Sequence, residues 1–221
     1  MSASMRQIDL AGPDVPRLRC RPGAHVVVRV PTGGGEARRV YSIWRHDPRD
    51  SALSLRIALH DAGGPGCVWA RAVAPGDRVT LEAPRSKITL DESAAFHLFA
   101  GDETGAVPLL AMRAALHRDR PVLGVFEAPG PDEEMPGAEG VPPLPWVHRG
   151  RASAVASRVL LRAVQDLRLP TGTGTAYVAG ESATCRLLQR VLIEQHGFAR
   201  RAVLVQPQWT PGRPGFGAGG D

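Results

Sequence analysis

A change of pattern near residue 91 constrains the fold of this chain more than any other feature of its sequence. Before that point, short β-like runs alternate with turns rich in Gly and Pro, and the runs cover residues 24–30, 38–44, 53–60 and 78–83. One short helical stretch, residues 67–73, interrupts them. The pattern predicts a small antiparallel β-barrel with one inserted helix.

After residue 95, β-like and helical segments alternate. Strands are predicted over residues 96–101, 121–128, 145–149, 175–180 and 202–209, and helices over residues 109–118, 153–168 and 182–197. Such alternation implies parallel strands joined by right-handed crossovers. We therefore predict a two-domain α+β fold, with an antiparallel Greek-key β-barrel over residues 1–91 and a Rossmann-like α/β domain over residues 92–221. We expect the tail, residues 211–221, to be mobile.

Composition excludes several classes of protein. The 221 residues contain no run of 18 apolar residues, which excludes a membrane span, and we expect no membrane partner. Residues 1–14 lack the apolar core of a signal peptide, which favours a cytoplasmic location. Of the 27 cationic residues 26 are Arg, scattered along the chain, so we expect no nucleic-acid partner. The seven His residues lack metal-ligand spacing, so no metal site is predicted.

The first candidate site is the run Arg39-Val40-Tyr41-Ser42, at the end of a predicted barrel strand. Tyr41 can stack on or beside a flavin ring, Ser42 can form a hydrogen bond near flavin N5 or O4, and Arg39 can pair with phosphate. An ordinary amphipathic strand would have the same pattern.

The second candidate site follows the next strand, where His60 precedes a glycine-rich turn that opens a short helix. Small residues let the backbone approach a ligand closely, and the first N–H groups of a helix can bind a diphosphate. The residues concerned are Gly64, Pro65, Gly66, Cys67, Val68 and Trp69. A plain glycine-rich turn is the alternative interpretation.

Two strand-to-helix junctions in the second half form the third candidate site. One contains Asp102, Glu103 and Thr104, and the other contains Gly180 and Glu181. Ligands of such sheets bind at the carboxyl ends of the strands, although acidic residues at these positions can also serve only as helix caps.

Taken in order, these segments resemble the siderophore-interacting protein family, a group of flavin-containing ferric-siderophore reductases related to the ferredoxin reductases. The similarity starts near Met5 and lies in RVYSI, LHDAGGPGCVWARAVAPGD, APR at residues 83–85, FAGDET, YVAGESATCRLLQRVL and a late QW. The resemblance implies a six-stranded FAD-binding barrel, an α/β domain for NAD(P)H, and FAD between them.

The resemblance also implies roles for the candidate residues. Arg39, Tyr41 and Ser42 would hold the isoalloxazine end and a phosphate, and His60 with the Gly64–Trp69 loop would hold the diphosphate. Asp102, Glu103 and Thr104 would face the adenosine or nicotinamide side, Gly180 and Glu181 would line the pyridine-nucleotide cleft, and Trp209 would be an aromatic residue near the flavin. No acid–base side chain is obligatory for this chemistry.

The implied function is electron transfer from NAD(P)H through FAD to a ferric siderophore, with release of Fe(II). The alternatives keep the fold: a tailoring enzyme acting on a secondary metabolite, or a non-redox catalyst or binding module.

Two departures from the family pattern matter. An Arg common in the family two residues after the hydroxyl is replaced by Trp44, with Arg45 next. Because neighbouring strand residues point to opposite faces, Arg45 could take the direction of Trp44 only at a bulge or bend. Sequence for one strand before Met5 is also lacking, so the barrel would have an open edge, which a homodimer could cover.

Overall fold

The computed structural model describes residues 4–60 and 63–213 and contains two five-stranded sheets. The first sheet is antiparallel, with strand order β1-β4-β3-β2-β5. Its elements are β1 (Met5–Ala11), β2 (His25–Thr32), β3 (Gly35–Asp47), β4 (Ala52–Ala58), β5 (Thr80–Leu81), helix α1 (Pro65–Ala72), and a 3-10 turn at Val15–Arg17.

Alternation of apolar residues places the core of this sheet. Val26, Val28 and Val30 of β2 are buried and pack with apolar residues of β4 and with Trp69 of α1. The sheet has one strand fewer than the six that the resemblance implies. Its two edge strands, β1 and β5, border a groove of about 1160 Å³.

The second sheet is parallel, with strand order β10-β9-β6-β7-β8. Its strands are β6 (Phe96–Asp102), β7 (Val122–Ala128), β8 (Trp146–His148), β9 (Gly174–Glu181) and β10 (Val203–Trp209). Its helices are α2 (Glu103–Ala115), α3 (Arg158–Gln165) and α4 (Ser182–Glu194), with 3-10 turns at Pro131–Glu133 and Arg200–Ala202. The predicted α+β fold, an antiparallel sheet followed by a parallel one, is confirmed.

The helices divide between the two faces of the parallel sheet. Helices α3 and α4 pack on one face through residues such as Leu160 and Leu188. Helix α2 packs on the other face, in a core that also includes Met5 and Ile88 from the N-terminal part. Helix α2 therefore lies between the parallel sheet and the barrel.

The structure bears on the predicted start of α2, on the domain boundary and on the tail. Helix α2 begins at Glu103, six residues before the predicted start at residue 109, because packing on β9 and a cap at Asp102 outweigh the low helix propensity of Gly105 and Pro108. The domain boundary at residues 91/92 stays a prediction. The expected mobility of the tail, residues 211–221, also stays a prediction, because residues 214–221 lie outside the described residues. Across the residues described, the helices lack the length and apolar content needed to cross a membrane.

Candidate functional site: two clusters of sequence-predicted residues

Strand β3 and the start of α1 bring the first two candidate sites together. The Tyr41 ring stacks on Trp69 of α1, with a centroid distance of 5.8 Å and an interplanar angle of 23°. A Cβ atom at Gly66 would overlap the Tyr41 hydroxyl and lie 3.3 Å from Cγ of Arg39. Only glycine at position 66 therefore lets the helix start lie directly against these two side chains.

The start of α1 has backbone donors and, among residues 4–60 and 63–213, no side-chain acceptor for them. Its N-cap is Gly64, no side chain caps it, Pro65 follows, and the first turn contains no acidic residue. The first N–H groups of a helix have no partner within the helix, and its N-terminal end has a partial positive charge. With Arg39 beside it, this helix start can accept a phosphate group.

The Tyr41 hydroxyl is buried and has no hydrogen-bond partner among the described residues. Burial raises the pKa of Tyr41, and the nearby Cys67 thiol adds to this shift. The phenol is therefore neutral and can still donate a hydrogen bond. A buried polar atom without a partner, a stacking ring and an uncapped helix start fit a cofactor that combines an aromatic ring with phosphates.

The other residues of the predicted loop have different surroundings. His60 is exposed, and its carbonyl oxygen accepts a hydrogen bond from Nη2 of Arg71 at 3.4 Å. Cys67 is buried, and its Sγ atom lies 3.8 Å from the carbonyl oxygen of Ala58. Val68 is 59% exposed. The structure thus brings Gly66 and Trp69 to Tyr41, whereas His60 and Val68 point to solvent.

Ser42 lies opposite His25 in the β2–β3 pairing, and the backbone of His25 pairs in turn with Arg85. Burial lowers the pKa of His25, and the nearby Lys87 and Arg85 lower it further. Two exposed cations therefore lie near His25, the cross-strand neighbour of Ser42. Sequence reasoning missed them, although APR at residues 83–85 contains one of them.

The bulge that Arg45 would need is present. The register of β3 against β4 shifts between Ile43 and Arg45, so Trp44 is the extra residue. Arg45 nevertheless forms an ion pair with Asp47 at 2.8 Å, and the Arg56 guanidinium lies 3.5 Å from the centroid of the Trp44 ring. Arg45 and Trp44 line a separate groove of about 750 Å³ that Arg39 and Tyr41 do not line.

A second cluster lies at the carboxyl edge of the parallel sheet, around Asp102. Its Oδ1 atom accepts hydrogen bonds from the backbone N–H groups of Thr104 and Gly105 at 2.9 and 3.0 Å and so caps α2. Its Oδ2 atom accepts from the Glu181 backbone N–H at 2.8 Å and from Trp209 Nε1 at 3.0 Å. Asp102 therefore joins three strand ends and bonds to three other predicted residues, Thr104, Glu181 and Trp209.

Gly180 and Glu181 complete this cluster. Gly180 has φ +131°, and a Cβ atom there would lie 2.7 Å from the carboxylate of Asp102. The side chain of Glu181 caps α4 by accepting from the N–H groups of Ala183 and Thr184, each at 2.8 Å. Both carboxylates are almost fully buried, which gives them a positioning role; their contact with a nucleotide stays a prediction.

Glu103 belongs to a network that sequence reasoning missed. Arg149, at the end of β8, donates to both carboxylate oxygens of Glu103 at 2.6 and 2.8 Å and to Glu127 at 3.4 Å. Glu127, at the end of β7, also accepts from the Ser157 hydroxyl and from the Leu160 N–H group at the start of α3. The signal in the sequence was a polar residue at the end of each predicted strand.

Burial acts to raise the pKa of all three buried carboxylates, but the net direction of the shift differs between them. Burial raises the pKa of Asp102 and of Glu127, and Glu103 adds to the shift of Asp102. Burial also acts to raise the pKa of Glu181, but the backbone N–H groups that it accepts from outweigh burial and lower it.

The barrel followed by a parallel sheet, with the open helix start on the barrel side, defines a two-domain α+β protein with a ferredoxin-reductase-like fold. The siderophore-interacting FAD-binding domain model matches residues 14–88, and the siderophore-interacting protein model matches residues 94–212. The chain belongs to the siderophore-interacting protein family, so that the resemblance stated above is confirmed.

Individual relatives are distant. The mycobactin import ATP-binding/permease protein of Mycolicibacterium thermoresistibile is 26% identical over 80% of this chain and 20% of its own length. The ferric vibriobactin reductase of Vibrio cholerae is 25% identical over 79% of this chain and 65% of its own length. The chain thus spans less than two thirds of either relative.

Solved structures agree on the fold. A siderophore utilization protein from T. fusca superposes with a TM-score of 0.79 at 25% identity, covering 97% of this chain and 90% of that one. Phthalate dioxygenase reductase superposes with a TM-score of 0.69 at 19% identity, covering 93% of this chain and 64% of that one. The family model supports FAD as the ligand of the barrel, and the solved structures support the two-domain fold.

Proposed function

We propose that the protein takes electrons from NAD(P)H on FAD and delivers them to a ferric siderophore, from which Fe(II) is released. The observation that carries this proposal is the uncapped start of α1 beside Arg39 and the unpartnered Tyr41 hydroxyl. When bound, FAD accepts two electrons as a hydride and can pass them on one at a time to iron(III).

The chain's own residues would bind and orient. Arg39 and the N–H groups of Gly66 and Cys67 would hold the diphosphate, and Tyr41 would lie against the ring system, with Ser42 at its polar edge. The cations near His25, Arg85 and Lys87, support an anionic electron acceptor such as an acidic chelate of iron. The name of one relative refers to ferric vibriobactin reduction, which supports a ferric chelate as the electron acceptor.

The sites for nucleotide and flavin would meet where Trp209 lies. We propose that Asp102 fixes Trp209 through its indole N–H group, and that the nicotinamide approaches the flavin beside this residue. The open edge of β1 leaves a homodimer as the proposed oligomer, which light scattering at micromolar concentration would test.

Purified full-length protein tests the proposal in three steps. The first step measures FAD uptake from the flavin absorbance bands. The second follows bleaching of these bands after addition of NADH or NADPH under anaerobic conditions. The third adds a ferric siderophore and measures Fe(II) with a colorimetric trap.

Each of the three steps has an outcome that would contradict part of the proposal. A protein that takes up no FAD would overturn the proposal together with any tailoring reaction on flavin, and would leave a non-redox module. Flavin that only dithionite reduces would overturn NAD(P)H as the donor. Reduced flavin that leaves the ferric chelate unchanged would overturn the substrate.

A further inference from the structure

The net charge of the chain resides entirely in its last third. Before residue 151 lie 18 of the 27 Lys and Arg residues and 18 of the 22 Asp and Glu residues, so that segment is neutral. The remaining nine Arg residues and four acidic residues account for the net charge of +5. Segregation of this kind gives a protein a cationic side.

Folding brings part of this charge onto one surface. Arg158 and Arg162 lie four residues apart on α3, and Arg186 and Arg190 lie four residues apart on α4. Four residues along a helix are about 6 Å, and packed helices lie about 10 Å apart, so the four arginines share one compact area. We call this surface the α3–α4 face.

The four arginines have no internal role in the described part of the chain. All four are exposed, and none forms an ion pair or a hydrogen bond with another described residue. The opposite sides of both helices pack into the core through Leu160, Val164, Leu188 and Leu192. The nearest acidic residues in sequence, Asp166 and Glu194, follow Arg162 and Arg190 by four residues at the C-terminal ends of the helices, so the four arginines exceed the acidic residues beside them by two charges.

The same surface exposes small apolar side chains. Val155 is 36% exposed and Val159 is 37% exposed, and both lie at or just before the start of α3. The aromatic residues on this side of the sheet, Phe96 and Phe198, are buried in the core. Protein hot spots and single-stranded nucleic-acid sites usually rely on exposed aromatic residues, which this surface does not offer within the described chain.

We propose that the α3–α4 face attaches the protein reversibly to an anionic lipid bilayer. Exposed arginines bind anionic headgroups electrostatically, and the two valines supply a small apolar contact. The expectation of no membrane partner rested on the lack of a membrane span, whereas attachment to a membrane surface needs only that folding gathers the arginines. Helix α2 and the barrel, on the opposite face of the parallel sheet, remain turned away from the bilayer.

Co-sedimentation with vesicles tests this proposal. We expect the full chain to bind vesicles of phosphatidylglycerol and phosphatidylcholine at low salt, to release them at high salt, and to ignore pure phosphatidylcholine. Each arginine near such a surface strengthens binding roughly five-fold. The variant R158E/R162E/R186E/R190E should therefore bind at least about 100-fold more weakly.

Two matched control variants distinguish binding through the α3–α4 face from effects of net charge and of folding. R17E/R19E/R49E/R78E makes the same charge change on the barrel and should keep most of the binding, because its four positions are exposed and lie outside the α3–α4 face. R158K/R162K/R186K/R190K keeps the charge and should bind like the original. Equal thermal unfolding of all variants would show that loss of binding is not loss of fold.

Three results would overturn the proposal. The first is no binding to phosphatidylglycerol vesicles at low salt, and the second is an equal loss in the barrel variant. The third is tighter binding to a DNA oligonucleotide than to the vesicles at the same salt concentration, because the preferred ligand of the α3–α4 face would then be a nucleic acid and not a lipid. None of these results depends on flavin.

Discussion

Helix α1 and the three helices of the parallel sheet begin in opposite ways. At α1 the N-cap is a glycine, and no side chain in the described part of the chain caps the helix, whereas α2, α3 and α4 are capped by Asp102, Ser157 and Glu181. Helix starts leave N–H groups that need acceptors. The parallel sheet supplies its own acceptors, and on the barrel side we propose that the cofactor takes this role.

This contrast distinguishes a structural site from a binding site. Three carboxylates at the carboxyl edge of the sheet, those of Asp102, Glu127 and Glu181, already accept from helix N–H groups, so these helix starts are not free for phosphates. The start of α1 has Arg39 nearby and no acidic residue in its first turn. The lack of a capping side chain at the start of α1 therefore indicates where an anionic group of a ligand would bind.

The largest effect should come from removing the carboxylate of Asp102. Replacement by Ala leaves the buried donors of Thr104, Gly105, Glu181 and Trp209 without their acceptor, and we expect a loss of at least about 3 kcal/mol in unfolding free energy. Chemical denaturation of the flavin-free protein, followed by circular dichroism, measures it. Asp14→Ala, at an exposed position, should change little; equal stability of the two variants would contradict a structural role for the Asp102 cluster.

A large effect on the cofactor, but not on the fold, should follow Arg39→Ala. A charge-assisted hydrogen bond to phosphate contributes about 1.5–3 kcal/mol, so FAD should bind roughly 10- to 150-fold more weakly. Arg45→Ala is the control, because Arg45 pairs with Asp47 in a separate groove. FAD titrations of both variants decide the matter. Loss of FAD only in Arg45→Ala would mean that the phosphate lies elsewhere.

The two glycines at the start of α1 offer a finer test. Gly66→Ala places a methyl group against the Tyr41 hydroxyl, whereas a Cβ atom at Gly64 meets nothing within 4 Å. Overpacking costs about 1–3 kcal/mol, so Gly66→Ala should weaken FAD binding by roughly 10-fold or more. Gly64→Ala should bind FAD within a few-fold of the original protein. Similar affinities in the two variants would show that the ligand does not depend on this close approach.

The smallest effects should come from Tyr41→Phe, which should stabilise the flavin-free protein but weaken FAD binding. Removing a buried hydroxyl without a partner should raise the stability of the flavin-free protein by about 1 kcal/mol. If FAD supplies the missing partner, the same change should weaken FAD binding several-fold. Thermal unfolding without FAD and a titration with FAD measure both effects. Weaker FAD binding without the gain in stability would mean that the hydroxyl has a partner in the free protein.

Local sequence patterns predicted the elements well where periodicity was strong. The strand over residues 121–128 matches β7, at Val122–Ala128, and the helix over residues 182–197 contains α4. The first turns of α2 escaped prediction because Gly105 and Pro108 resemble a loop. The carboxylate of Glu181 caps α4, since it reaches two N–H groups from the end of the strand, a contact that the local pattern does not predict.

The sequence by itself determined the order of an antiparallel and a parallel sheet and the run that holds Arg39 and Tyr41, because both follow from short-range periodicity and composition. Only the tertiary structure decided which polar residues meet. Asp102 and Trp209 are 107 residues apart along the chain, and Arg149 joins Glu103 across 46 residues. The arginines of α3 and α4 likewise share a face only after folding. Contacts of this kind depend on strand order and helix packing, which short-range periodicity does not encode.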